Sequence, residues 1–411
     1  MLFSSLVTRC SLYLVFGGLV FASLSAQAQW TAEQDQEYTK RFNEGFHAAS
    51  PVPSLSAYAT IDRYDALYPS EQLEKDLQNI NNSAGGIAWG WAYRMMAQNA
   101  MVRRTHNVKY LQDNLKCVRA VLAARDDVRG VTLWTGAIAP VWSSDKYAER
   151  GRAVFAVHTG MIAYPILDFL QLAQDSPEMK SRLKDESSAI LQSVQESLRY
   201  HDRQWREGPA PEEGHYIGMD QENALEGKPL PGNRLSSMGR ALWCLSQLTG
   251  NAEDRRRALA IGRYIRHRLT LAADGAYYWS YWLPLQPSPP IPKEKINAED
   301  ISHGSLTMAL PILLVSAGEV FTREDMERLG KTVTQGLARL NNGVLFGEVN
   351  GNPKSSPSLV QIPGRWLHLT PFVPEVYDRI ALYLRTYQAK PSPLDLALLL
   401  RYDPTFFPHD K

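Results

Sequence analysis

Cysteine is scarce in this chain of 411 residues, which contains only Cys10, Cys117 and Cys244. So few cysteines exclude a small fold held together by disulfides. Charge of one sign is not in excess either, because 44 Lys and Arg stand against 43 Asp and Glu. This balance argues against a nucleic-acid partner, which needs a basic surplus. Hydrophobic residues make up 44% of the chain, which is too many for a disordered protein.

The common motifs of metal, phosphate and nucleophile chemistry are also missing. The sequence has no HExxH, no CxxC pair, no GxxxxGK[ST], no GxSxG and no GxGxxG after a strand. A zinc protease, a P-loop enzyme and a serine hydrolase with a nucleophile elbow are therefore excluded. His215 and His303 are too isolated to indicate a metal site. We predict no metal and no cofactor.

The first 28 residues read as a secretory signal peptide. Arg9 is followed by an apolar stretch from Leu12 to Leu24 and by the small-x-small sequence Ala26-Gln27-Ala28. The apolar stretch is too short to span a bilayer, so a signal fits better than a membrane anchor. We expect a periplasmic or secreted protein with no membrane contact after cleavage, a single domain over 29–411, and a monomer.

The two cysteines of the mature chain, Cys117 and Cys244, both lie in apolar helical patterns. An oxidising compartment would allow one disulfide between them. Their apolar surroundings favour two buried thiols instead.

Most of the mature chain shows helical periodicity. Apolar residues recur at i, i+3, i+4 and i+7, as in 233–249, which predicts amphipathic helices. Gly250 and Asn251 mark a helix end and the next helix start, and Thr322 with Asp325 resembles a capping box. The predicted helix pairs are 86–103 with 107–125, 153–173 with 179–201, 233–249 with 253–271, 301–317 with 323–340, and 374–388 with 393–401. Strand-like alternation is limited to short pieces such as 344–349.

Successive helix pairs begin 67 to 80 residues apart, near residues 86, 153, 233 and 301. This spacing is too irregular for a strict solenoid. It predicts an all-α fold, an α/α toroid of about six or seven hairpins with minor β pieces. The long loops 126–150, 203–232 and 273–300 would then lie on one rim, and long loops in compact domains are usually functional.

Polar and aromatic residues cluster where the inner helices are predicted to begin. If these helices run in the same direction around the ring, their first residues meet at one mouth of a central cavity. Helix N-termini favour anionic ligands, and aromatic rings stack on sugars. We therefore predict that an anionic polysaccharide binds there. The predicted catalytic residues are His303, Tyr281, His158, Asn233 and Arg234. The predicted substrate-binding residues are Trp89, Trp91, Trp142, Tyr277, Tyr278, Trp279, Glu299, Asp300, Arg365, Trp366 and His368.

Each of these residues also has a purely structural interpretation. Asn233 and Asp300 could serve only as helix caps. His158 lies between apolar neighbours and could be a core histidine. Asp300 could hold His303 as part of the scaffold, and Arg240 could be a solvated surface charge. The recurrence of polar residues at equivalent helix starts favours the functional interpretation.

The blocks FAVHTGMIAYPILDFL, PGNRLSSMGRALWCLSQLTGN, AYYWSYW and EDISHGSLTMALPILL resemble those of α/α-toroid enzymes that act on uronic acid polymers. The family named by this resemblance is polysaccharide lyase family 38, and the similarity covers about residues 85–350. It implies β-elimination on alginate or glucuronan. The chain lacks the NNHSYW block of family 5 alginate lyases, since residues 80–83 read INNS.

Such a lyase needs three groups. One neutralises the carboxylate of the substrate, one acts as a base, and one acts as an acid. Asn233 and Arg234 would fill the first role and His158 or His303 the second. Tyr277, Tyr278 or Tyr281 would protonate the leaving oxygen. The hydroxyl of Tyr281 would need a nearby cation such as Arg234 to lower its pKa.

Three other functions stay open at this point. An inverting glycoside hydrolase would use two carboxylates, Glu299 or Asp300 with Asp220 or Glu222. A uronyl C5-epimerase would share the first proton abstraction of the lyase. A non-catalytic glycan-binding protein would use the aromatic platform without any base. We predict that His303 and Tyr281 lie closer to the chemistry than Glu299.

Overall fold

The computed structural model describes residues 30–219 and 225–406. The predicted signal peptide 1–28 lies outside these residues, and so do Asp220 and Glu222. The α-helices are α1 (Ala32–Gly45), α2 (Leu55–Tyr58), α3 (Ile61–Leu67), α4 (Ser70–Asp76), α5 (Ala92–Thr105), α6 (Val108–Ala123), α7 (Asp126–Arg129), α8 (Ala156–Gln174), α9 (Pro177–Arg182), α10 (Ser187–Arg199), α11 (Gly232–Thr249), α12 (Ala252–Arg266), α13 (Ile301–Thr307), α14 (Ala309–Val315), α15 (Arg323–Lys331), α16 (Glu375–Tyr387) and α17 (Pro393–Arg401).

Shorter helical turns complete the helical part of the chain. Two are π-helical, Ile87–Trp91 and Thr332–Leu337. Those with 3-10 geometry are Leu77–Asn79, Asp202–Gln204, Pro357–Leu359 and Pro363–Leu369. The first π turn runs directly into α5, so the two form one continuous inner element.

Six inner elements form a closed ring. They are α5, α8, α11, the pair α13–α14, the 3-10 helix Pro363–Leu369, and α17; each packs on the next, and α17 packs on α5. The outer helices α6, α10, α12, α15 and α16 pack behind this ring. The protein is therefore an all-α toroid, as the periodicity predicts.

Local sequence signals place most of the helix boundaries. Asn251 caps α12 through its side chain, and Thr322 with Asp325 forms the predicted capping box of α15. The predicted helix 301–317 is divided at Met308. Pro311 has no N–H to donate to the carbonyl of Thr307, which accounts for the break.

The β structure is small. β1 (Trp205–Glu207) pairs with β2 (Gly214–Tyr216), and β3 (Thr270–Leu271) pairs with β4 (Tyr277–Tyr278), both antiparallel. The expected strand-like piece 344–349 does not form a strand. It contributes one isolated bridge, between Glu348 and Asp300, which ties this segment to the start of α13.

Cys117 and Cys244 are buried free thiols. Burial raises the pKa of the Cys117 thiol to about 12 and also raises that of Cys244. Both groups are therefore unreactive, as expected for packing residues. Among the residues that the structure describes, no helix is long and apolar enough to cross a membrane.

Gly160 is the point of closest approach between two inner helices. A Cβ placed there would lie 2.5 Å from the carbonyl carbon of Ser237 and 2.6 Å from the nitrogen of Met238 in α11. We expect Gly160→Ala to lower the free energy of unfolding by about 1–3 kcal/mol, because α8 must move away from α11. Chemical denaturation measures this change. Gly45→Ala, where a Cβ meets nothing within 4 Å, should change stability by less than about 0.5 kcal/mol; equal effects would contradict the packing argument.

Candidate active site

A cleft of about 530 Å³ opens at one mouth of the toroid, where the inner elements begin. Five of the six inner elements contribute residues from or next to their N-terminal ends. These residues are Gly85, Gly86, Trp89 and Tyr93; Phe155, Val157 and His158; Asn233 and Arg234; Ser302, His303 and Leu306; and Gln361, Ile362 and Arg365. Lys146, Tyr147 and Tyr281 reach the same cleft from two of the long loops.

His303 is held in place by the carboxylate that caps its own helix. Asp300 Oδ1 accepts the backbone N–H of Ser302 at 2.9 Å and that of His303 at 3.0 Å, and Oδ2 bonds to His303 Nδ1. Burial alone would raise the pKa of Asp300, but these bonds and the imidazole hold it below its usual value. An ionised carboxylate only accepts hydrogen bonds, so Nδ1 of His303 carries the proton of this pair. The His303 side chain is 43% exposed and lines the cleft.

Tyr281 stands beside this imidazole. The two ring centroids are 5.5 Å apart and the planes meet at 71°. Burial raises the pKa of Tyr281, and the opposing effect of Arg234 is smaller. Arg234 does act to lower this pKa, but burial outweighs it and the net shift is upward. Tyr281 remains protonated at neutral pH and can act as a proton donor.

His158 also lines the cleft and is neutral. It is 1% exposed, and burial together with the charge of Arg234 lowers its pKa to about 3. Asn82 Nδ2 lies 3.3 Å from His158 Nδ1 and also donates to the Trp142 carbonyl. Nδ1 is thus the acceptor and Nε2 carries the proton. The Trp89 ring packs edge-on against this imidazole at 5.5 Å.

Glu299 lies behind the wall of the cleft. Its carboxyl is fully buried, and Oε2 accepts bonds from Trp279 Nε1 at 2.5 Å and Thr307 Oγ1 at 2.7 Å. Burial raises its pKa to about 8, against the effect of these bonds and of the Asn233 backbone. Glu299 is therefore a protonated support beneath Asn233 and does not contact the cleft.

This buried carboxyl makes stability depend on pH. The unfolded carboxyl ionises above its usual pKa of 4.5 while the folded one stays protonated to about 8. The contribution of Glu299 to stability is therefore complete below pH 4.5 and falls by about 1.4 kcal/mol per pH unit up to pH 8. Glu299→Gln should remove this contribution to the dependence of the unfolding free energy on pH. Denaturation of both proteins from pH 4.5 to 8 tests it, and two parallel stability curves would contradict it.

Several residues predicted for substrate binding lie in the interior instead. Their polar atoms are used by internal hydrogen bonds, which leaves no group for a ligand. Trp142 donates to the Val121 carbonyl, Trp279 to Glu299, Trp366 to the Ile301 carbonyl, Tyr277 to Asp325, and Tyr278 to the Ile291 carbonyl. None of these five side chains lines the cleft, because the same helical spacing serves packing and binding alike.

Other predicted residues lie near the cleft but outside its lining. Trp91 lines a separate groove with Arg94 and Pro393. His368 lies deeper, at the centre of the ring. Asp300 contributes only through His303. Of the predicted site residues, the structure brings Trp89, His158, Asn233, Arg234, Tyr281, His303 and Arg365 together in the cleft.

The sequence analysis missed the aromatic and basic residues that complete the cleft. Tyr93 lies one turn after Trp89 on the same element, so helical spacing from Trp89 could have identified it as a lining residue. Lys146 and Tyr147 belong to the long loop 126–150. The length of this loop was the only sequence feature that indicated a role at the cleft. Among the described residues, no group of three or more His, Cys, Asp or Glu side chains could hold a metal ion.

The chain matches no family model and no curated protein. Among solved structures it is similar to an inactive variant of an alpha-1,6-mannanase, a GH76 enzyme of Salegentibacter sp., in complex with alpha-1,6-mannotriose. The sequences are 12% identical, the alignment covers 84% of this chain and 100% of that chain, and the TM-score is 0.44.

The mannanase is a glycoside hydrolase, and this comparison corrects the sequence-based assignment. The predicted membership in a family 38-like group of polysaccharide lyases is wrong. The predicted β-elimination on alginate or glucuronan, and the assignment of the enzyme as a lyase, are wrong with it.

Proposed function

We propose that the protein is a glycoside hydrolase that binds an acidic glycan in the mouth of the toroid. The observation that carries this proposal is the His303 imidazole, oriented by Asp300, facing the cleft beside the protonated phenol of Tyr281. Hydrolysis needs one group to take a proton from water and another to give a proton to the leaving oxygen. These two side chains can fill the two roles.

The walls of the cleft suit a sugar chain. Trp89, Tyr147 and Phe155 offer aromatic surface, and aromatic rings pack against the apolar faces of sugars. Trp89 Nε1 and Asn233 Oδ1 are buried without a hydrogen-bond partner in the described part of the chain. Such atoms are costly to leave unpaired. Sugar hydroxyl groups, which both donate and accept, would satisfy them.

The charge of the cleft favours an acidic glycan. Lys146, Arg234 and Arg365 line it, and no described lining residue is an aspartate or glutamate. A concave site with charge of one sign attracts ligands of the other sign. Arginine in particular matches the geometry of carboxylate and sulfate groups.

Because no described residue that lines the cleft is a carboxylate, the site favours inversion over retention at the anomeric carbon. A retaining hydrolase forms a covalent intermediate on a carboxylate placed at the sugar, whereas an inverting one activates a water. Here, His303 Nε2 would take the proton of that water and Tyr281 would protonate the departing oxygen. One displacement by water inverts the anomeric carbon. The two-carboxylate arrangement with Glu299 does not fit, because that carboxyl does not contact the cleft.

A panel of neutral and acidic glycans tests the proposal. We expect new reducing ends from an acidic glycan, with the first-formed product carrying the inverted anomer by NMR. Cleavage that produced a chromophore absorbing in the ultraviolet, as an unsaturated uronyl end does, would contradict hydrolysis. Binding without turnover would instead indicate a glycan-binding protein. Export to the periplasm or beyond and a monomeric state belong to the same proposal.

A further inference from the structure

The centre of the ring encloses a second, smaller cavity of about 40 Å³, below the mouth cleft. Side chains from all six inner elements line it, and four of them are arginines: Arg103, Arg240, Arg365 and Arg401. Asp168 is the one carboxylate among the described lining residues. Positive charge is therefore concentrated on the axis of the toroid.

Only one of these arginines has its charge compensated there. Arg103 forms a two-fold ion pair with Asp168, with Nη1 3.0 Å from Oδ2. Asp168 also accepts a bond from Asn99 at 2.8 Å. In the described structure its ion pair is with Arg103, and it forms none with the other three guanidinium groups.

Arg240 is the clearest case of an uncompensated buried cation. It is 5% exposed, and its described contacts are Met161 Sδ at 3.4 Å and the Tyr164 ring at 4.3 Å. Its Nε is buried without a hydrogen-bond partner. A guanidinium stays charged in proteins, and a buried charge without a counter-charge is strongly unfavourable.

Arg365, which is buried, and Arg401, which is half-buried, also lack a carboxylate partner in the described structure. The Nη atoms of Arg365 donate to Tyr93 Oη at 2.7 Å and to the Ser302 carbonyl at 2.8 Å, both neutral acceptors. The Nε atoms of Arg365 and Arg401 are buried and unpaired in the described structure. His368 adds no negative charge; its burial and the surrounding arginines lower its pKa, so it stays neutral.

We propose that this cavity binds one small inorganic anion of the size of chloride, held by the guanidinium groups of Arg240, Arg365 and Arg401. A water needs about 10–15 Å³ of such space, so the cavity has room for a halide ion but not for a sugar ring. Arg365 also lines the mouth cleft. The anion would therefore fix the orientation of an arginine at the floor of that cleft.

Thermal unfolding in sodium chloride and in sodium gluconate at equal ionic strength tests the site. We expect chloride to raise the unfolding midpoint of the protein by about 3 °C over gluconate, because it binds the folded state alone. Arg240→Met should abolish this difference. Arg255→Met, which removes an exposed arginine paired with Glu319, should retain it. Equal midpoints of the unaltered protein in both salts, or an unchanged difference in Arg240→Met, would overturn the proposal.

A second variant keeps the test decisive if Arg240→Met does not fold. Ala309 lines the cavity, and Ala309→Asp would place a carboxylate where the anion is proposed to lie. We expect this variant to lose the chloride dependence while unfolding in gluconate at or above the midpoint of the unaltered protein. Crystals grown in bromide should show an anomalous peak in the cavity. Retained chloride dependence in Ala309→Asp, or no peak in bromide, would contradict the site.

Discussion

Replacement of His303 by alanine is expected to lower the turnover number by about 10²–10⁴-fold, because it removes the group that accepts the proton of the attacking water. The fold should persist, since the side chain is 43% exposed and its contacts are with Asp300 and the Tyr281 ring. Reducing-end formation by purified protein, with circular dichroism as a check of folding, measures the effect.

A second histidine provides a matched control. His267 Nδ1 bonds Glu213 Oε1 at 2.6 Å and its side chain is 45% exposed, but it does not line the cleft. His267→Ala removes the same kind of histidine–carboxylate pair and should leave turnover within about two-fold of normal. Equal losses in the two variants would show that the effect of His303→Ala is structural.

Replacement of Tyr281 by phenylalanine should lower turnover by about 10²-fold or more, with a smaller change in substrate affinity. The phenol lies beside His303, and burial keeps it protonated. The ring itself is retained, so the packing against His303 and Trp282 should survive.

The control for this variant is Tyr278→Phe. Tyr278 lies on the same loop and uses its hydroxyl to donate to the Ile291 carbonyl at 2.7 Å, away from the cleft. Its loss should reduce stability modestly and leave the turnover of folded protein unchanged. If Tyr281→Phe were as active as Tyr278→Phe, the proton-donor role of Tyr281 would be wrong.

The ring and the position of its mouth followed from the sequence because both depend on helix phase. The apolar periodicity of 233–249 predicts α11 and where its first turn begins. Residues at that turn, such as Asn233 and Arg234, therefore meet those of α8 and α13 at one rim. This geometry needs only periodicity and short-range capping signals.

The individual aromatic residues could not be assigned in the same way. Trp89 and Trp279 each stand at helical or loop positions rich in aromatics, yet one lines the cleft and the other donates to a buried carboxyl. Contacts between segments distant in the sequence decide whether an indole side chain faces the cleft or the interior. Arg240, interpreted as a surface charge, is buried because its side chain lines the cavity at the centre of the ring.

The reaction class was the least accessible property. Histidine, tyrosine, asparagine and arginine around a sugar-binding cleft can serve elimination, epimerisation or hydrolysis, since each needs proton transfer beside an oxygen. Sequence blocks that resemble one family carried the assignment to lyases, and that assignment was wrong. The class has to be read from the product of the reaction.

Cleavage of an acidic glycan in water enriched in ¹⁸O tests the central claim most directly. Hydrolysis places one oxygen of the solvent at each new reducing end, so mass spectrometry should show products heavier by one label, formed by the unaltered protein and not by His303→Ala. Products cleaved without incorporation of the label would contradict the account, since the bond would then have been broken without the attack of water that His303 is proposed to activate.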